Sequence, residues 1–194
     1  MAGGAQNSGA GAQWWSPAGC RRKCRIFSLL WCGLNKSNTV EAFEALPTNV
    51  ERLRRNIEMN GMQHHIHINE FALGRTDGVV AFETWPPEQS GWGGIAAGFG
   101  QTTIEVAVRR LDSVFKQTIG PVTLKTDCEG ADAWVIEGAQ ELLSGDLVKN
   151  VFFELNEDRQ INMGIPLDAS QAILRKCGFH CSQIGVSDWH AFKA

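Results

Sequence analysis

Asp127 and Glu129 close the run Val122-Thr-Leu-Lys-Thr-Asp-Cys-Glu-Gly130, and Glu154 stands at the polar end of Asn150-Val-Phe-Phe-Glu-Leu-Asn156. Each run is apolar or β-branched before its acid, the pattern of a buried strand that delivers carboxylates to the crevice beyond the carboxyl ends of a parallel sheet. Strand alternation sets Lys125, Asp127 and Glu129 on one side as far as the chain stays extended. A fourth acid, Glu44, ends Thr39-Val-Glu-Ala-Phe-Glu44. At the end of the second strand of a doubly wound sheet, such a carboxylate is placed to accept both ribose hydroxyls of an adenosine cofactor. Paired carboxylates also suit a glycosidase or a magnesium or manganese site, and spacing alone leaves these alternatives open. Neither alternative accounts for Glu44 together with the alternation of strands and helices.

The elements that must position these acids follow in order. Pro47 suits the first turn of a helix with an apolar stripe at Val50, Leu53 and Ile57, and Asn60-Gly61 stops it. His65-Ile-His-Ile-Asn69 is a short strand whose histidines line a polar face in preference to forming a metal pair. Phe71-Ala-Leu-Gly74 and the turn Thr76-Asp-Gly78 follow it. Strands are predicted over 79–85 and 102–108, joined by Pro86-Pro87 and a glycine-rich loop long enough to contact substrate, with Trp85 and Trp92 flanking it. After Gly130, apolar residues at Val135, Ile136, Ala139, Leu142 and Leu143 recur at helical spacing. Asp168 caps a further helix ended by Gly178, and 179–184 is a last strand. The fold class is therefore α/β with a mostly parallel, Rossmann-like sheet and a β-rich insert.

Bulk composition adds boundaries. The chain has 194 residues, enough for one core, and a formal charge of −3, which gives no global basic field and implies no nucleic-acid partner. Residues 1–40 contain no Asp or Glu but carry Arg21, Arg22, Lys23, Arg25 and Lys36. This leader, 1–38, reads as a poorly specified, glycine-containing start, with Trp14-Trp15 set oddly in it. The apolar run 26–34 is too short to span a bilayer, and a strand or a helix fits it equally. A cytoplasmic location is expected, with an organelle transit segment as the alternative reading of the basic leader. Six cysteines without a C-x-x-C pair read as reduced thiols, and no metal site is expected.

Taken together, Ala42-Phe-Glu-Ala-Leu-Pro-Thr-Asn-Val50, Ala72-Leu-Gly74, Leu111-Asp-Ser113, Lys125-Thr-Asp-Cys-Glu-Gly-Ala-Asp132 and Glu137-Gly-Ala139 resemble the FkbM family of methyltransferases over about residues 39–185. The resemblance implies a class I methyltransferase sheet, S-adenosylmethionine as cofactor, and methylation of a hydroxyl on a small-molecule, sugar or lipid-like acceptor. It also implies that Glu44 holds the cofactor ribose, that Phe71, Ala72 and Leu73 border the adenine, and that Asp127 and Glu129 face the reaction crevice. Glu154 would line the acceptor side. Among the carboxylates, Asp127 is the first choice for a base and Glu129 the second.

The family's opening strand and glycine loop, of the form D-x-G-A-N-x-G, have no counterpart in Trp14-Trp-Ser-Pro-Ala-Gly-Cys20, and Gly4–Gly9 is only a loose echo. Ala45 replaces the usual proline after the acid, and Asp132 replaces a glutamate. The expectation is an incomplete or atypical N-terminal portion in which the sheet lacks its first, central strand. The alternative to an enzyme is then a truncated or decayed, non-catalytic fold acting as a binding partner.

Overall fold

In the computed structural model, the described residues are 12–17, 23–86, 92–99, 102–115 and 120–193. A seven-stranded sheet carries the fold. Its strands are β1 (Ala12–Pro17), β2 (Thr39–Phe43), β3 (Ile66–Asn69), β8 (Val122–Asp127), β9 (Val148–Glu154), β10 (His180–Gln183) and β11 (Asp188–Phe192). They lie in the order β10-β11-β9-β8-β1-β2-β3, and β11 alone runs antiparallel to both its neighbours. Four further strands, β4 (Ala72–Leu73), β5 (Gly78–Thr84), β6 (Gly94–Ile95) and β7 (Thr102–Arg109), form a second sheet in the order β4-β7-β5-β6. This is the β-rich insert expected between the third and fourth strands of the main sheet.

Helices cover the two faces. The helices α1 (Lys23–Leu34) and α2 (Pro47–Met59) close a smaller core in which Cys32, Leu53 and Ile57 meet Val40, Ala42 and Ile66. On the other face α4 (Asp132–Glu137) and α7 (Ala169–Lys176) bury Val135, Ile136 and Leu174 with Leu124, Val151 and Phe153. The chain thus leaves β1 toward one face and β8 toward the other. Where neighbouring strands diverge in this way, a crevice opens at their carboxyl ends.

The sheet does not lack its centre. Ala12–Pro17 pairs in parallel with β2 on one side and with β8 on the other, in register from Ala12↔Val122 to Pro17↔Asp127. The reading of residues 1–38 as an unspecified leader is corrected for this stretch, and a boundary at 38/39 falls inside the sheet. Residues 12–17 carry two indoles and a terminal proline, a poor match to the alternating pattern sought in strands. The central position, hydrogen-bonded on both edges, prevails over local pattern. Residues 23–34 form a helix, and the echo at Gly4–Gly9 lies outside the described residues.

The helix expected to run continuously past Gly130 is broken at Gly138, with α5 (Gln140–Ser144) beyond the break. At the break two backbones approach closely: a Cβ on Gly138 would strike the carbonyl of Gly74. Around that joint the amide of Asp112, in the short helix α3 (Leu111–Val114), donates to the Gly138 carbonyl at 3.0 Å, and the Asp112 carboxylate accepts from the Glu141 and Leu142 amides at 3.1 and 3.0 Å. Three of the blocks that carry the resemblance, at 72–74, 111–113 and 137–139, therefore meet at a structural joint between the two sheets. The strand β11 has no forerunner in the sequence reading.

Candidate active site

The carboxyl ends of β2, β1 and β8 set Glu44, Pro17 and Asp127 along one edge of the main sheet. Glu44, 5% exposed, follows β2 directly, and its Oε1 accepts from the Leu46 amide at 2.9 Å. On the far side of β1 lie the other acids. Asp127 is 6% exposed, with Oδ2 at 3.8 Å from Lys125 Nζ. Burial pushes its carboxyl up to about 8 against the pull of Lys125, and Glu154 and Asp132 add to the rise. Burial likewise pushes Glu129 up to about 7, with Arg159 holding it back and Glu154 raising it. Burial raises Asp132 as well, while its Oδ2 accepts from the Cys128 amide at 3.0 Å. The structure thus brings Asp127, Glu129 and Glu154 into one electrostatically coupled cluster, with Asp132 behind it, and leaves Glu44 two strands away from β8.

Glu129 has φ +48°, and among the described residues no other non-glycine has a positive φ. Backbone in this region costs about 1–3 kcal/mol and persists only where the surroundings enforce it. Arg159 Nε donates to the Glu129 carbonyl at 2.7 Å, and Asn156 Nδ2 donates to Glu129 Oε2 at 3.0 Å. Asn156 also caps α6 (Glu157–Asn162) by accepting from the Arg159 amide at 3.3 Å.

Beside this turn is a cavity of about 230 Å³ walled by Trp85, Trp92 and Phe99, with Glu129, Asn156 and Arg159 on its polar side. The two indoles meet edge to face at 5.3 Å between centroids. The loop that carries Trp92 and Phe99 is anchored by a buried carboxylate: Glu83 Oε1 accepts from the amides of Ala97, Gly98 and Phe99 at 2.8, 2.6 and 2.9 Å. Its Oε2 accepts from Arg159 at 2.9 Å. Neither Glu83 nor Arg159 is marked by the sequence, because a lone acid in a strand and a lone arginine in a polar stretch have no motif. Only their meeting across 76 residues gives them meaning.

The remaining sequence-predicted positions are placed as follows. Phe71 packs its ring at 5.6 Å from that of Phe43, beside Glu44, whereas Ala72 and Leu73 are buried in β4. His65 and His67 do not share a ligand: His67 Nδ1 pairs with Glu41 at 2.8 Å, and His65 Nδ1 meets the Asn38 carbonyl at 3.2 Å. Among the described residues no group of three or more His, Cys, Asp or Glu side chains is arranged to hold a metal ion. No helix among them is long and apolar enough to cross a membrane.

A seven-stranded sheet of this order with one reversed strand, a switch-point crevice, and an acid after the second strand define a class I, S-adenosylmethionine-dependent methyltransferase. The model of the methyltransferase FkbM domain matches residues 25–181, and the chain belongs to that family. Its cofactor is S-adenosylmethionine. The residues present fit this cofactor, since a buried carboxylate ends β2 next to the crevice where ribose hydroxyls need an acceptor. No curated protein sequence matches the chain significantly.

Among solved structures, the precorrin-6y C5,15-methyltransferase of Geobacter metallireducens is similar with a TM-score of 0.53 at 11% identity, over 95% of this chain and 82% of that one. The METTL16 methyltransferase domain gives 0.51 at 15% identity, over 97% of this chain and 61% of the other, so this chain spans less than two thirds of that domain. A further similar structure is the METTL16 catalytic domain in complex with the MAT2A 3′UTR hairpin 1, with a TM-score of 0.52 at 11% identity, over 94% of this chain and 63% of that one. This last structure corrects the expectation that excluded nucleic acid in favour of a small-molecule acceptor: a protein of this fold is in complex with RNA. Net charge is a sum over the whole surface, and a fold that holds RNA in one of its members is not barred from it by a total of −3.

Proposed function

We propose that the chain transfers a methyl group from S-adenosylmethionine to a hydroxyl oxygen, and that the ribose hydroxyls of RNA belong to its acceptor class. The observation that carries the hydroxyl is the cluster of carboxyls at the ends of β8 and β9, Asp127, Glu129 and Glu154, with Glu129 lining the aromatic cavity and both Asp127 and Glu129 raised by burial. A hydroxyl must lose its proton as its oxygen takes a methyl group, and a base works best when its pKa lies near the working pH. Glu129, which lines the cavity and whose carboxyl burial raises toward neutrality, is the base, and Asp127, buried more deeply beside it, orients the acceptor. This reverses the order in which the sequence ranks them, because it is Glu129 that lines the cavity. Glu154 lines the acceptor side. Glu44 holds the ribose, and the segment from Phe71 to Leu73 borders the adenine.

The bound cofactor supplies an electrophilic methyl on a sulfonium, and transfer is then governed by alignment of acceptor, methyl and sulfur. RNA enters as acceptor class through the RNA complex of a protein with this fold. The Trp85, Trp92 and Phe99 walls suit a planar or ring-bearing acceptor, since stacking on an indole is tolerant of ring identity.

The test is transfer of tritium from methyl-labelled S-adenosylmethionine into total RNA, with lipid and saccharide fractions in parallel. The expected result is label in RNA at positions that resist alkaline cleavage, as a 2′-O-methyl group requires. Label on base nitrogen or carbon, or none in any fraction, overturns the hydroxyl reading. Label confined to lipid or saccharide overturns the RNA part alone.

A further inference from the structure

The polar anchor under the aromatic cavity has more bonds than packing requires. Arg159 is 6% exposed and donates in three directions: to the Glu129 carbonyl at 2.7 Å, to Glu83 at 2.9 Å and to the Ile95 carbonyl at 2.9 Å. The Phe99 ring lies 5.5 Å from its guanidinium carbon. Two of these contacts belong to the wall that carries Trp92 and Phe99, one to the turn that carries Glu129, and one to the buried carboxylate that links them. Three residues further along α6, Asn162 Nδ2 donates to the Ala97 carbonyl at 3.3 Å. Gly94 lies so close that a Cβ there would fall 2.9 Å from an Arg159 nitrogen and 3.3 Å from the Glu129 Cβ.

A buried ion pair is weak evidence for stability, because desolvation offsets much of the attraction, and an apolar pair of equal volume often serves as well. What an apolar pair does not supply is direction. A guanidinium fork fixes three acceptors in one plane, and a carboxylate gathers three successive amides. Both are the means by which a loop is held at one geometry.

We propose that Arg159 and Glu83 are the positioning pair of the acceptor site: with Asn156 they hold Glu129 in its left-handed turn and fix the Gly94–Phe99 wall, so that acceptor recognition depends on them and cofactor binding does not. The proposal rests on the methyl-transfer reading for its acceptor. Its geometry separates the two ligands, since Glu44 lies across β1 from Asp127 and Arg159 lines the aromatic cavity.

The test uses the full chain with Arg159→Lys, which keeps the charge and loses the fork, and Glu83→Gln, which keeps an acceptor for the amides and loses the charge. Three quantities are read: hydrogen exchange at the amides of Ala97, Gly98 and Phe99, affinity for S-adenosylhomocysteine, and kcat and KM for the acceptor identified by the labelling assay. In Arg159→Lys these amides exchange at least tenfold faster, S-adenosylhomocysteine affinity stays within about threefold, and KM rises tenfold or more with a smaller change in kcat. Glu83→Gln, the safer variant for folding, moves the same quantities in the same direction by less. Unchanged exchange at 97–99 in both variants overturns the proposal. So does faster exchange spread over β8 and β9 with a parallel loss of S-adenosylhomocysteine affinity, which marks a core ion pair and nothing more. If no acceptor is methylated by the parent chain, it is the methyl-transfer reading that fails, and the pair is judged on exchange and cofactor affinity.

Discussion

Asp127 and Glu129 are two positions apart at one strand end, and burial raises the proton affinity of both. Both have folded-state pKa values above those of the unfolded chain, so the native state binds more protons than the unfolded state across the window between them. Stability from these groups is therefore greatest at low pH within that window and falls as pH rises through about 7 and then about 8. The melting temperature is expected to drop by several degrees between pH 6 and pH 9, and Asp127→Asn is expected to flatten that slope in a calorimetric series. A slope unchanged in the variant refutes the assignment. In catalysis, Glu129→Gln is expected to lower kcat by about 10²- to 10⁴-fold, the range for a lost general base, with S-adenosylhomocysteine affinity unaltered by titration calorimetry. Glu44→Ala is expected to weaken that affinity about tenfold or more, since hydrogen bonds to a charged group are worth roughly 1.5–3 kcal/mol each. An unchanged affinity refutes the ribose assignment and leaves the fold untouched.

The elements that hold these residues are less uniform than their pattern suggests. Period-2 alternation finds β2, β5, β7, β8 and β9 because each has one side against a core. It does not find the break at Gly138, since Val135, Ile136, Leu142 and Leu143 keep helical spacing across it. The break falls where the chain meets a neighbouring backbone, that of Gly74. Gly138→Ala is accordingly expected to destabilise the chain well beyond the few tenths of a kcal/mol typical of surface changes, because something must shift to admit the methyl group. A urea titration that shows no change in midpoint argues against the close approach. At the acceptor wall, Arg159→Ala leaves the buried Glu83 carboxylate without its guanidinium counter-charge, and a loss of about 3–5 kcal/mol is expected by the same titration.

At the scale of the whole molecule, a central strand paired on both edges by Thr39–Phe43 and Val122–Asp127 joins the two halves of the sheet. A chain beginning at Lys23 loses that joint. Its expected behaviour is a collapsed state without a dispersed amide spectrum, and a well-dispersed spectrum from such a chain refutes the central placement of Ala12–Pro17.

Most of the longer strands and helices between Thr39 and Gln183, the acids at strand ends and the family itself were legible in the sequence, because they rest on local periodicity and on short blocks with fixed spacing. Tertiary structure alone decided the rest. It placed Ala12–Pro17 at the centre of the sheet, where pairing on both edges substitutes for a recognisable pattern. It turned three motif blocks into a joint between sheets, and it joined Glu83 to Arg159 beneath the aromatic cavity. It also raised the proton affinity of Asp127 and Glu129, since that affinity depends on burial and on neighbouring charges brought together from distant parts of the chain, and neither is a property of the residues in sequence.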